Sequence, residues 1–413
     1  LKKYIPARKY INKLFDKPLG LPLYDNEAKN LVILATRGLG KDLEENTIIH
    51  SVTRGRIPIK DVVVGEYIWG NDGKATKVID RKDFTNQMQY KITLADGRSV
   101  VAGEGHLWNV IDNAGRNLTV DTATIRDKFV AHRRKKHNGN YNFDSRYFIP
   151  MNDAIEGVEQ DLPIEPYFLG LWLGDGNKHN TGITTKDEEI KDYVYKYCEN
   201  FFEHKVSINE NKDKTCPTYT ITSSCDKTNS YEGCNLLLNK LKELNLINNK
   251  HIPDIYLKAS YNQRLELLKG LMDSDGYICK KGIHTEFSSS IEELSLNVID
   301  LGRSLGIRVE YSTRIPHYRN SNGDKVFGKL NYRIKLKSRV NIFKLERKRI
   351  LFNDSLGVFS TSTHNKVAIK NVEEVGVRPS VCIGVDNDSH LFLAGEYVVT
   401  HNSFWTGQLV VLH

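Results

Sequence analysis

Residues 31 to 41 read LVILATRGLGK: an apolar run that leads into Gly38-Leu39-Gly40-Lys41. Backbone N–H groups of such a glycine-rich loop can cradle phosphates, and its lysine can reach the β and γ oxygens. The chemistry then calls for a Ser or Thr beside the lysine, because that hydroxyl ligates Mg²⁺. The sequence supplies Asp42 instead. Taken alone, the stretch is equally well a glycine-rich turn. The missing hydroxyl stands at the other end, in Thr400-His401-Asn402-Ser403. Removing residues 42 to 402, a stretch of 361, would join Lys41 to Ser403 and complete the loop. Gly38, Gly40, Lys41 and Ser403 would then hold ATP and its Mg²⁺.

A second set of chemical residues lies mid-chain. FLGLWLGDG (168 to 176) and LKGLMDSDG (268 to 276) are similar helical runs, with Asp175 and Asp275 spaced 100 residues apart. An internal repeat of this kind suggests two units about a pseudo-two-fold axis. Gly170 and Gly174 lie one turn apart, as do Gly270 and Ser274. Small residues at that spacing let two helices cross closely. Each helix should stop at the glycine after its acid, Gly176 or Gly276. The crossing would bring Asp175 and Asp275 to one side, where paired carboxylates favour Mg²⁺. Lys250 and the lysines of TTKDEEIKDYV (184 to 194) are candidate basic helpers, and Asp273 is assigned a structural part.

The elements that must position these groups fall into three stretches. Residues 47 to 110 are short runs rich in β-branched and aromatic residues, with hairpin signals at Asn71-Asp72-Gly73 and Asp96-Gly97. Residues 366 to 400 have the same character, and residues 160 to 355 between them mix helix and strand. One domain inserted into a surface loop of another explains the bracketing.

Bulk properties narrow the class. The chain has 413 residues, 39% of them hydrophobic, and a net charge of +8. Its mean hydropathy is −0.46 and its pI about 8.9. No apolar run is long enough to span a membrane, and the basic N-terminus lacks the core of a secretory signal. The chain opens on Leu1, so a fragment is expected. Six cysteines, at 198, 216, 225, 234, 279 and 382, form no C-x-x-C pair. Zinc is therefore poorly supported, and reduced thiols in a cytosol are expected. The basic balance suits DNA. AHRRKKHNGN (131 to 140) is either a phosphate contact or a solvated loop.

The stretch ending in Thr400-His401-Asn402 and followed by Ser403 resembles the C-terminal splice junction of inteins. SVCIGVDNDSHLFLAGEYVVTHN and GEGHLWNV resemble other motifs of that family. Trp108, Cys382 and Thr400, beside a first residue that is no nucleophile, match its third, Trp-Cys-Thr class. The resemblance implies that Cys382 attacks the Lys41–Asp42 peptide, with His106 as proton donor. Ser403 then accepts the acyl group, and Asn402 cyclises with help from His401 and His390. In one departure from the pattern, Gly103 stands where the family's Thr-x-x-His motif has its threonine.

The mid-chain motifs resemble LAGLIDADG homing endonucleases, and the flanks resemble a P-loop ATPase such as a phage terminase large subunit. The expected architecture is multidomain: an all-β, horseshoe-like splicing (Hint) domain with an inserted α+β endonuclease domain of two pseudo-symmetric repeats. Host fragments occupy 1–41 and 403–413, the splicing domain 42–155 and 361–402, and the endonuclease 156–360. Catalytic residues are Cys382, His106, Trp108, Thr400, His390, His401, Asn402 and Ser403 for splicing, and Asp175 and Asp275, as Mg²⁺ ligands, for DNA cleavage. Splicing needs no cofactor, and the spliced host needs ATP and Mg²⁺. The partners are double-stranded DNA of the uninterrupted host gene and the host segments in cis, without a membrane, in the cytoplasm of a bacterial or phage-infected cell. The alternatives are an intein inactivated by Asp42, or an endonuclease decayed to a scaffold.

Overall fold

The computed structural model describes residues 41–135, 141–201, 206–209, 216–222, 235–279, 284–319, 323–356 and 365–401. Gly38, Gly40, Asn402 and Ser403 lie outside them, as do Cys225 and Cys234. The chain begins with strands β1 (Leu43–Glu44), β2 (Ile48–Ser51), β3 (Gly55–Pro58), β4 (Tyr67–Trp69), β5 (Ala75–Leu94), β6 (Ser99–Gly103), β7 (Leu107–Asp112) and β8 (Asn117–Asp121). Helix α1 (Thr122–Lys128) follows, and then β9 (Val130–Lys135), β10 (Tyr141–Ser145) and β11 (Tyr147–Pro150). Next come α2 (Pro166–Asp175), β12 (Gly182–Thr184), α3 (Glu188–Phe201), β13 (Val206–Asn209), β14 (Thr218–Ile221), α4 (Leu236–Glu243), α5 (Asp254–Leu257) and α6 (Tyr261–Ser274). After them lie β15 (Gly276–Ile278), β16 (Thr285–Ser289), α7 (Glu292–Ser304), β17 (Arg308–Arg314), β18 (His317–Arg319), β19 (Lys325–Phe327), β20 (Asn331–Lys337) and α8 (Glu346–Leu356). The last strands are β21 (Lys366–Val385), β22 (Leu391–Ala394) and β23 (Val398–His401).

Both ends of the described chain enter one twelve-stranded sheet. Its order is β23-β22-β2-β4-β5-β6-β1-β21-β11-β7-β8, with β3 on β2 and a further pairing of β5 with β21. The two 20-residue strands β5 and β21 run antiparallel along most of their length. Period-two alternation sets the faces: β7 buries Trp108, Val110 and Asp112 and leaves the residues between them half-buried. Gly97 turns β5 into β6 at φ +91, a backbone that only glycine adopts cheaply. The inward residues, among them Leu43, Ile92, Trp108, Ile149, Val381 and Phe392, form one apolar core. Within the basic run, Val130–Lys135 is strand rather than loop, paired with β10. Residues 136 to 140 lie outside the described ones.

The middle stretch packs around a second core, which includes Phe168, Trp172, Leu268, Met272, Phe287 and Phe343. Helix α2 buries every residue from Tyr167 to Leu173, so it is apolar all round rather than striped. Pro166 opens it, and the Glu165 carboxylate accepts from Phe168 N at 2.7 Å. Helix α6 starts with a Ser260/Gln263 capping box. The two helices cross at their glycines: a Cβ on Gly270 would sit 2.9 Å from the Gly170 Cα and overlap the Tyr167 carbonyl. A three-stranded sheet (β12-β14-β13) and a four-stranded one (β15-β16-β20-β17) flank the pair.

Both helices stop where expected, α2 at Asp175 with Gly176 as its C-cap and α6 at Ser274 just before Asp275-Gly276, but neither stop uses a left-handed glycine. Gly176 has φ −73, so it is no left-handed cap. It is there for space: a Cβ would come within 2.7 Å of the Trp172 ring, and one on Gly276 within 2.5 Å of the Met272 Cα.

Polar contacts join the two parts beside α7. Asp300 bonds Arg56 at 2.6 Å and the Tyr397 hydroxyl at 3.2 Å, and Arg303 pairs with Glu396 at 3.1 Å. Among the described residues, no helix is long and apolar enough to cross a membrane.

Candidate active sites

The first site forms where β1 slots between β6 and β21. Leu43 pairs with Ala102 on one side and Val381 on the other. Continued one residue beyond β1, the same registers lead from Asp42 toward Gly103 and Cys382. Gly103 N donates to the Asp42 carbonyl at 2.9 Å, which ties the residue after Lys41 to the sheet. Cys382 is buried, with 5% of its surface exposed, and is in no disulfide.

A tight turn, with His106 N donating to Gly103 O, carries the chain into β7 and brings the His106 ring beneath the junction. His106 Nε2 lies 2.5 Å from Thr400 Oγ1 of β23. Trp108 meets the ring edge-on at 4.9 Å. Its indole N–H donates to Thr122 Oγ1, which in turn donates to the His106 carbonyl. All four side chains are buried. Burial pulls the imidazole down to about 3; the Lys41 main chain opposes this, and the His401 and Lys41 charges add to it. The ring is therefore neutral at neutral pH. Among the described residues its Nδ1 lacks a well-formed hydrogen bond, although the Lys41 backbone is near enough to favour the charged form.

Asp42 is fully buried, and its Oδ2 accepts from Gln89 Nε2 at 2.5 Å. A Cβ on Gly103 would lie 2.9 Å from the Asp42 Cγ and 3.0 Å from Oδ2. The glycine where the family motif has threonine is thus the one residue that leaves room for this carboxylate.

On the C-terminal side, Leu391 of β22 pairs with His401 of β23, and the His390 and His401 rings are 6.1 Å apart. His390 sits at φ 55, left-handed backbone that costs a non-glycine residue about 1 kcal/mol or more. Such strain persists only where the surroundings over-determine it.

The second site lies at the ends of α2 and α6. Asp175 is pushed up to about 6, first by burial and then by the charge of Asp275. Asp275 is also raised, by its crowded surroundings, although its side chain is open to solvent on one flank. Lys250 is buried, donates to the Gly174 carbonyl at 2.9 Å and is lowered to about 8 by desolvation, against the pull of Asp275 and Asp175. Lys191 is held by Glu188 instead. Asp273 is a structural clamp, accepting from the Tyr167 hydroxyl and from Lys344 and Leu345 N. Among the described residues no three His, Cys, Asp or Glu side chains form a closed cage. Two mutually repelling carboxylates with other positions left open fit Mg²⁺, which keeps water and phosphate ligands.

Parts of this chain are similar to known proteins. Residues 251–345 match the family model of the homing endonucleases. At the level of class, that match bears out the expectation of an enzyme. The chain is similar to the replicative DNA helicase DnaB of Mycobacterium intracellulare, 29% identical over 390 residues that cover 91% of this chain and 60% of that protein. It therefore spans about 60% of that relative's length. Among solved structures, the MchDnaB-1 intein is 25% identical, covering 25% of this chain and 77% of its own, with a TM-score of 0.19. The homing endonuclease I-DmoI in complex with DNA and Mn is 18% identical, covering 48% and 98%, with a TM-score of 0.28. The comparisons give a terminase host no support.

Three residues at these sites escaped the sequence reading. Lys348 is buried and donates to the Met272, Asp273 and Gly276 carbonyls, closing the end of α6 as Lys250 closes α2. Its signal was spacing, since Lys250 follows Asp175 by 75 residues and Lys348 follows Asp275 by 73. Gln89 and Thr122 carried no motif, and only the fold brings them to the first site.

Proposed function

We propose that the chain is a protein-splicing element of the Trp-Cys-Thr class that excises residues 42 to 402 and joins Lys41 to Ser403. The observation that carries this is the pairing of Leu43 with Val381, the neighbours of Asp42 and Cys382, with His106 bonded to Thr400 and close to the Lys41 main chain. The Cys382 sulfur attacks the Lys41 carbonyl carbon and the bond to the Asp42 nitrogen breaks. The thiol loses one proton and the leaving nitrogen gains one, relayed by His106 while Thr400 holds Nε2. The Ser403 hydroxyl then takes the acyl group from the Cys382 thioester. The Asn402 side-chain nitrogen closes on its own main-chain carbonyl carbon and the Asn402–Ser403 peptide bond breaks, with His401 and His390 moving a proton from the attacking nitrogen to the leaving Ser403 nitrogen. The freed Ser403 amine then takes the acyl group from the Ser403 oxygen to form the amide. Every step is intramolecular, so positioning carries much of the rate. Intact-mass measurement of the chain with longer flanks tests this. Cys382→Ala should abolish cleavage at Lys41, whereas Asp42→Ala should retain it. Normal splicing of the Cys382 variant would overturn the proposal.

A second activity rests on the Asp175–Asp275 pair and the family match over residues 251–345. The inserted domain, 156–360, would be a site-specific endonuclease for the uninterrupted host gene across the codons of Lys41 and Ser403. Asp175 and Asp275 would hold Mg²⁺, which supplies water activation and leaving-group stabilisation. Lys250 and Lys348 fix the helix ends that carry the two acids. The excess of basic residues suits the DNA backbone. The assay is double-strand cleavage of that gene segment with and without Mg²⁺; the absence of cleavage would reduce the domain to a scaffold. The host is best read as a P-loop ATPase of the replicative helicase kind, working in a cytoplasm.

A further inference from the structure

We infer that Asp42 is a positioning residue that clamps the N-terminal junction, and that Gly103 and Gln89 are shaped to receive it. The inference rests on the splicing reading above. A fully buried carboxylate is costly unless it is well partnered. Here Oδ2 has one donor, Gln89 Nε2, while Oδ1 and Gln89 Oε1 have no hydrogen-bond partner among the described residues. A small first residue would avoid that cost, so the carboxylate is retained against it. Its surroundings are matched to it. Gln89 is the direct cross-strand partner of Gly103 and, on its other side, pairs with Gly376 of β21. Gly103 N holds the Asp42 carbonyl, and its bare Cα gives the carboxylate its space. Two strands, β5 through Gln89 and β6 through Gly103, thus meet at one side chain, and that side chain belongs to the residue whose nitrogen must leave.

The clamp explains the missing threonine. A side chain at 103 and a carboxylate at 42 compete for the same volume, so this chain fixes the junction from residue 42 instead. The Asp42 side chain supplies the second anchor, through Gln89, beside the main-chain bond to Gly103. Extended β1 geometry then keeps the Lys41 carbonyl in the register that faces Cys382.

The experiment uses the full chain with longer host flanks and follows cleavage at each junction separately. Gly103→Thr should slow cleavage at Lys41 by about 10- to 100-fold, the scale of a misplacement of about 1 Å, while cleavage after Asn402 continues. A general loss of folding would suppress both. Adding Asp42→Ala to Gly103→Thr should restore most of the lost rate, although Asp42→Ala alone is slower than the parent. Asp42→Asn, which can donate to Gln89 Oε1, should stay near the parental rate. Parental cleavage by Gly103→Thr, or a double variant no faster than Gly103→Thr, would overturn the clamp. If the parent cleaves at neither junction, the splicing reading fails by itself. Thermal melting then decides the clamp. Gly103→Thr should lower Tm by about 3 °C or more, and the double variant by clearly less. Equal losses in both backgrounds would overturn it.

Discussion

His106 shows how burial can change what a residue is fit for. An exposed imidazole titrates near 6.5, but this one is held near 3 and stays neutral. A neutral ring has one N–H, so with Thr400 engaging Nε2 what it can relay depends on which nitrogen carries the proton. Thr400→Val removes the partner at Nε2 without opening the core and should slow cleavage at Lys41 by about 100-fold. The pH profile is a second readout. The buried ring should give the parental rate no inflection near pH 6.5, and a midpoint there would show a ring open to solvent. Linkage has a fixed sign for such a lowered group: its contribution to stability is present above 6.5 and is lost as pH falls toward 3.

The paired helices answer to different physics. Gly170 and Gly270 let two backbones approach to a distance that no side chain permits. Gly270→Val would drive a branched side chain into the Tyr167 carbonyl and the facing helix. Overpacking of this kind costs about 3 kcal/mol, and here the backbone of α2 is what must yield. The expected outcome is an inserted domain that limited proteolysis cuts readily within 160–355. Splicing should be far less affected, because the strand core is built from other residues. Parental protease resistance would show that the crossing tolerates a side chain.

At the largest scale, the described residues form two separate cores, and the proposed function assigns each its own chemistry. Asp175→Asn should remove DNA cleavage while excision continues. It should also stabilise the chain, and the sign follows from the raised carboxyl. Stability from a group held up at about 6 is complete below its unfolded value and is lost as pH rises through 6. The substitution should therefore raise the melting temperature at pH 7 to 8 and lose that gain near pH 4. Unchanged DNA cleavage would remove Asp175 from the metal site, and an unchanged melting temperature would mean that its charge is not buried.

Much of the proposal starts from one dimension. The Lys41/Ser403 joint, the 100-residue repeat and the Trp108, Cys382, Thr400 set are covalent spacings, and hairpin signals such as Asp96-Gly97 act locally. The helix stops at Gly176 and Gly276 were legible but their cause was not, because a glycine letter does not tell a left-handed backbone from a crowded one. Lys348, Gln89 and Thr122 were invisible for a related reason. Their partners lie 72 and 47 residues away for Lys348 and Gln89, and across a strand pair for Thr122. Asp42 is the sharpest case. Its letter said only that it is not a nucleophile. Its burial against Gly103 and Gln89 comes from β1 threading between β6 and β21, and strand register is set by the packing of the whole sheet rather than by any residue in it.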